Sequence, residues 1–167
     1  MTRPVLSARA RLSSAEENLR RTLDWVTRFD NKAAIVLGAA TGMLGILATF
    51  APPYAAWNVA MAAFAAPAIA ALAVSLVFAY LGTYPRTAGP SRSLLYFGSI
   101  AARPYEEFRR EFAGRDVALF LDDLLEQCHT NSQILAEKFA RLRRAYVALF
   151  AAIVPWAVTI FLFRSQG

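Results

Sequence analysis

The chain has 167 residues, 57% of them hydrophobic, a formal net charge of +6 and one cysteine. That apolar content exceeds what a soluble domain of this length needs to fill its core, and one cysteine excludes a disulfide framework within the chain. The cations crowd the flanks of the apolar runs, where they meet anionic lipid, so the basic balance points to a membrane surface and away from nucleic acid.

Residues 1–32 carry seven of the cations. Within them, Ser13 to Lys32 opens with Ser followed three residues on by Glu, the spacing of a helix start. Leu19, Leu23, Val26 and Phe29 or Asp30 then recur at helical spacing. This predicts a cytoplasmic amphipathic helix that feeds the first span without a break; a helix lying on the lipid surface is the alternative. Because the first apolar run follows 32 charged, amphipathic residues, the chain is expected to insert through its own spans and not through a cleaved signal peptide.

No charged residue occurs from Ala33 to Pro85. As one helix that run would be roughly 80 Å long, against a hydrocarbon core of about 30 Å, so it divides into two spans. Pro52 and Pro53 mark the break, giving transmembrane helices at about 33–50 and 58–80 within a region 33–83. The turn at 51–57 places Tyr54 and Trp57 at the outer interface. Gly38 and Gly42 form a G-x-x-x-G, with Gly45 a turn further on, and Ala62, Ala66, Ala70 and Ala73 lace the second span. Small residues let membrane helices approach closely; packing among the spans and assembly of several copies both remain open. Pro67 and Pro155 lie near mid-span, where they are expected to bend their helices. No ionisable residue lies inside a span, which argues against a transporter or proton channel. Three helices alone enclose no aqueous pore, so any permeability requires an oligomer or a disturbed bilayer.

Residues 84–144 carry ten cations. Their Pro-, Gly- and Ser-rich start reads as a loop, followed by the short apolar stretch LLYFGSIA. Pro104 then opens a helix, PYEEFRREFA, with acids early and Gly114 as its stop. From Arg115 a long helix is expected to continue into the charge-free third span, 145–163. Along it Leu121, Leu124, Cys128, Ser132, Leu135, Phe139, Leu142 and Tyr146 form a pairing stripe whose expected partner is the N-terminal helix; Cys128 serves there as a small apolar residue. The tail, 164–167, holds only Arg164. By the positive-inside rule residues 1–32 and 84–144 are cytoplasmic and the C-terminus is outside. The fold class expected is an all-α membrane protein, with three transmembrane helices and a cytoplasmic helical bundle continuous with the first and third spans.

Catalytic constellations are scarce. Glu126 and His129 have the E-x-x-H spacing of di-metal carboxylate bundles, but that site needs the motif twice and the chain has one histidine. Asp122, Asp123 and Glu126 read as a solvated helix face. Without a phosphate loop, a paired-cysteine motif or a Ser-His-Asp set, no enzyme, metal or cofactor is expected. On a helix, Gln127, Asn131, Ile134, Lys138 and Arg141 share one face just above the membrane. Amides read base edges and cations offset phosphate, so this face suits a small anionic nucleotide; lipid headgroups are its plainer partner.

Three stretches carry a family resemblance: W-V-x-R-F-D-N-K-A-A at Trp25 to Ala34, Y-F-G-S-I-A at Tyr96 to Ala101, and N-S-Q-I-L-A-x-K-F-x-x-L-R-R-A at Asn131 to Ala145. Their order and their positions relative to the spans resemble the transmembrane Pycsar effectors of bacterial antiphage defence, over about residues 15–163. The resemblance implies an inner-membrane protein switched on by cyclic CMP or cyclic UMP from a partner cyclase, which then damages the membrane and stops the infected cell. The matching positions are Asp30, Lys32, Tyr96, Phe97, Gly98, Asn131, Ser132 and Lys138. In that reading Lys138, Arg141 or Lys32 offsets the cyclic phosphate, Asn131, Ser132 and Gln127 hydrogen-bond ribose or base, and Tyr96 or Phe97 stacks on the pyrimidine. Tyr96 and Phe97 have core packing as their alternative. Gly38, Gly42 and Gly45 would serve helix packing or homo-oligomer assembly. The competing functions are a constitutive membrane scaffold and a holin-like lesion former that needs no nucleotide.

Overall fold

The computed structural model describes residues 6–85, 89–90 and 92–165. Parts of the sequence-predicted loop (86–88 and 91), the first five residues and the last two of the tail lie outside it. The described residues are helical, with no strand: α1 (Ala8–Phe50), a 3₁₀ turn (Tyr54–Ala56), α2 (Val59–Thr83), α3 (Phe97–Ala101), α4 (Tyr105–Ala113) and α5 (Val117–Arg164). Three of them, α1, α2 and α5, are long and apolar enough to cross a membrane. The chain divides into two compact units, one of residues 1–27 and 85–136, the other of residues 28–84 and 137–167. Helices α1 and α5 each contribute to both.

In the second unit the hydrophobic pattern fixes the element boundaries. Helix α1 stops at Phe50, before the Pro52-Pro53 pair, and Asn58 caps α2 by accepting the Met61 N–H at 2.9 Å. Met61, Ala65, Leu72, Ala40, Leu47, Ala152 and Phe163 make a core in which alanines allow close helix approach. Polar groups that would be stranded in lipid are paired: Ser75 Oγ donates to the Ala145 carbonyl at 2.9 Å and Trp156 Nε1 to the Met43 carbonyl at 2.9 Å. Pro67 and Pro155 sit inside helices that run on past them, and Thr159 Oγ1 bonds back to the Pro155 carbonyl at 2.7 Å. No more than 28% of any span window is buried within the protein, and side chains such as Ile35, Phe150, Val154 and Phe161 point outward. That much outward apolar surface is matched by a lipid solvent and not by water.

The first unit is held by polar clamps as much as by packing. Helix α1 begins at Ala8 and not at Ser13, because Ser7 Oγ accepts the Ala10 N–H at 3.3 Å and provides an earlier cap. Leu94, Leu124, Ala15 and Cys128 are buried together with Asp123, Gln127 and Ser93. The stretch LLYFGSIA resolves into α3, entered from an extended Tyr96. Pro104 precedes α4, with Glu106 and Glu107 in its first turn, Arg110 in its last and Gly114 at its end, as the sequence predicts.

Candidate functional site

Ser93 organises the first unit. Its Oγ accepts the N–H groups of Leu95 (3.0 Å) and Tyr96 (2.9 Å) and the side-chain amide of Gln127 at 3.1 Å. One residue along, the Leu94 N–H donates to Asp123 Oδ2 at 2.8 Å, so the segment before α3 is pinned to α5 at two points. Asn131 Nδ2 donates to the Gln127 carbonyl at 2.8 Å. Of the α5 candidates, Gln127 is therefore buried and engaged inside the unit, Asn131 is half-buried, and Ser132 is exposed. Tyr96 lies 4.8 Å from Phe97, centroid to centroid. A Cβ placed on Gly89 or Gly98 would fall 2.5 or 2.6 Å from the Tyr96 ring, which explains the glycine after Tyr-Phe: the ring needs its space. Phe97 itself is 67% exposed.

One expectation is corrected. Asp123 is not part of a solvated face with Asp122 and Glu126; it is 4% exposed while its two neighbours are open to solvent. Sequence spacing shows which face of a helix a residue occupies, but not that a loop 29 positions away in the chain would descend on that face and need a carboxylate to receive its N–H.

Lys32, Lys138 and Arg141 belong to the second unit, where each has a partner. Lys138 Nζ lies 3.8 Å from Asp30 and 4.9 Å over the Phe29 ring. Phe29 is fully buried and meets Phe139 edge-on at 5.7 Å, and Lys32 stands 5.9 Å over Phe139. Arg141 donates to the Leu81 carbonyl and pairs with Glu137 at 3.7 Å. Two more cations, Arg143 and Arg144, head a hollow of about 500 Å³ whose remaining lining is Val74, Ala140, Val147, Ala148 and Ala151. Gly38, Gly42 and Gly45 lie on the open side of α1: a Cβ added at any of them meets nothing within 4 Å.

Two further hollows in the first unit adjoin through Arg92 and Arg115, one of about 170 Å³ and one of about 480 Å³. Their arginines carried no signal in the sequence beyond their charge, because they come from three separate segments that only the fold assembles.

A family model, the Pycsar effector protein domain, matches residues 14–164 of the chain. The chain belongs to the Pycsar effector family. No curated protein and no solved structure matches it. Pycsar effectors are antiphage defence proteins that act with a cyclic nucleotide made by a partner cyclase, and the three long apolar helices make this one a membrane member.

Proposed function

We propose that this Pycsar effector senses a cyclic pyrimidine mononucleotide, cyclic CMP or cyclic UMP, with its first unit and responds by disrupting the bacterial inner membrane with its second, halting the infected cell without enzymatic turnover. The observation that carries the reading is the family match across both units, and the continuity of α1 and α5 gives it a mechanical route. Each helix passes from one unit into the other without interruption, so a change of helix position on ligand binding is transmitted along a hydrogen-bonded rod. A ligand shifts such an equilibrium only by its differential affinity, which requires a nucleotide site better formed in the disruptive state. The first unit and the N-terminus face the cytoplasm in this reading, where the cyclase product accumulates, and the C-terminus lies outside.

Because three helices enclose no pore, disruption proceeds through several copies. The open glycine face of α1 is the contact we assign to that assembly. Arg143 and Arg144, above an otherwise apolar hollow, anchor the resting protein to anionic lipid phosphates. Purified protein in dye-loaded liposomes tests the whole reading: cyclic CMP or cyclic UMP at micromolar concentration is expected to release dye, and purine cyclic nucleotides are not. Leakage without nucleotide would favour a holin-like lesion former, and neither leakage nor binding with any nucleotide would leave a scaffold.

A further inference from the structure

Among the described residues, two buried side-chain polar atoms lack a hydrogen-bond partner: Arg115 Nε and Asp123 Oδ1. Native proteins keep few such atoms, and each calls for an explanation. Both residues line the same hollow of about 170 Å³, together with Arg92 and Ser93. An orphaned donor and an orphaned acceptor on one hollow are complementary to a group that brings an acceptor and an N–H or O–H side by side.

Arg92 and Arg115 also line the adjoining hollow of about 480 Å³, with Arg103, Glu107 and Glu111. Arg103 is held by Glu111 at 2.8 Å. The side chains of Arg92, Arg115 and Glu107 have no ion pair or hydrogen bond among the described residues. Two unpaired guanidiniums call for an anion, since their planar N–H sets match phosphate oxygens. The surrounding carboxylates limit its charge: five of them and three guanidiniums line the two hollows. A cyclic phosphodiester carries a single negative charge, whereas a terminal phosphate carries about 1.5 to 2 at neutral pH and is repelled more strongly. The carboxylates do not converge as a metal-binding set among the described residues.

We propose that the paired hollows around Arg92 and Arg115 are the nucleotide site of the first unit, with the cyclic phosphate on the two guanidiniums and an N–H or O–H of the ligand on Asp123 Oδ1. Glu107 accepts the ribose hydroxyl that the cyclic ester leaves free, as carboxylates do for ribose in dinucleotide sites. Gln127 enters only as a positioning residue, through its bond to Ser93 beside Asp123. The inference rests on the sensing function proposed above, and it moves the ligand away from the Lys138 and Arg141 face of α5.

Calorimetry on the full chain in lipid nanodiscs, titrated with cyclic UMP, cyclic CMP, linear UMP and inorganic phosphate, tests it. Arg115→Ala and Arg92→Ala should each weaken cyclic nucleotide binding by about ten-fold or more, while Arg110→Ala, on an exposed position of α4, leaves it unchanged. Asp123→Asn lets the amide oxygen keep the Leu94 N–H but turns an acceptor into a donor at the hollow, so it should lose affinity with an unchanged melting temperature. Wild type should prefer the cyclic to the linear nucleotide and bind phosphate more weakly than either. If wild type binds a cyclic pyrimidine and the Arg92 and Arg115 variants bind equally well, while Lys138→Ala does not, the site lies on the α5 face and this location is wrong. If wild type binds no cyclic nucleotide, the sensing function fails and the site falls with it.

Discussion

The Cys128 thiol lies 3.5 Å from the Ala15 carbonyl, where the first turns of α1 meet α5 within the first unit. Burial pushes its pKa above the ordinary value of 9.0, because a thiolate loses its hydration there and gains no cation in exchange. The thiol therefore stays protonated at neutral pH, and its reactivity reports whether α1 and α5 are together. Maleimide labelling of the folded protein at pH 7 should be slower than that of the urea-unfolded chain by at least about ten-fold. Equal rates would mean the contact is not maintained in solution. The sequence placed Cys128 on the pairing stripe as a small apolar residue, and it takes that role because it lies four positions from the equally buried Leu124 on one helix face. It did not reveal Asp123, whose burial depends on the Leu94 N–H of a distant loop. Ser93 was equally silent, as a serine in a Ser-rich loop carries no mark of the three hydrogen bonds its hydroxyl accepts.

At the scale of the elements, hydropathy and proline positions made most of the helices legible, because the bilayer imposes length and the prolines impose ends. Helix α2 starts one residue after Asn58 and α1 ends before the proline pair, close to the predicted spans. What the α1 pattern left open was the use of its glycines. A close internal contact would show a neighbour within van der Waals distance of an added Cβ, as Gly82 does, where the Phe29 ring would lie at 3.0 Å. Gly38, Gly42 and Gly45 have no such neighbour. Position 42 is exposed and an added Cβ there meets nothing within 4 Å, so a loss caused by Gly42→Leu is expected to arise between copies. We expect the variant to insert, fold and bind nucleotide normally, but to release less than about a tenth of the wild-type dye, since membrane helices pair through backbone approach that a leucine blocks. Cross-linking in detergent should show the higher-order bands lost in parallel; full leakage would remove the glycine face from assembly.

For the whole molecule, the decisive feature is that two of its helices belong to two units. The division falls after Thr27 in α1 and after Ala136 in α5, in neither case at a break in the helix. The candidate ligand site reads poorly from sequence for the same reason that the spans read well. The spans are local runs under one physical constraint, whereas Arg92, Arg103 and Arg115 come from a loop, the residue before Pro104 and the residue after Gly114, and only tertiary structure assembles them. If sensing and disruption are coupled through the rods, breaking one rod should separate them. Inserting Gly-Gly-Ser-Gly between Ala136 and Glu137 replaces a stiff connection with flexible chain, because glycine both lowers helix propensity and relaxes the backbone. Each unit keeps its own contacts, including Ser93 with Gln127 in the first and Ser75 with Ala145 in the second. Cyclic nucleotide affinity is then expected to stay within about three-fold of wild type, under 1 kcal/mol, while nucleotide-triggered dye release falls to the level seen without ligand. Release that survives the insertion would mean that α1 carries the signal alone or that the nucleotide acts through assembly. The same insertion between Thr27 and Arg28 distinguishes these, since it abolishes release in the first case and spares it in the second.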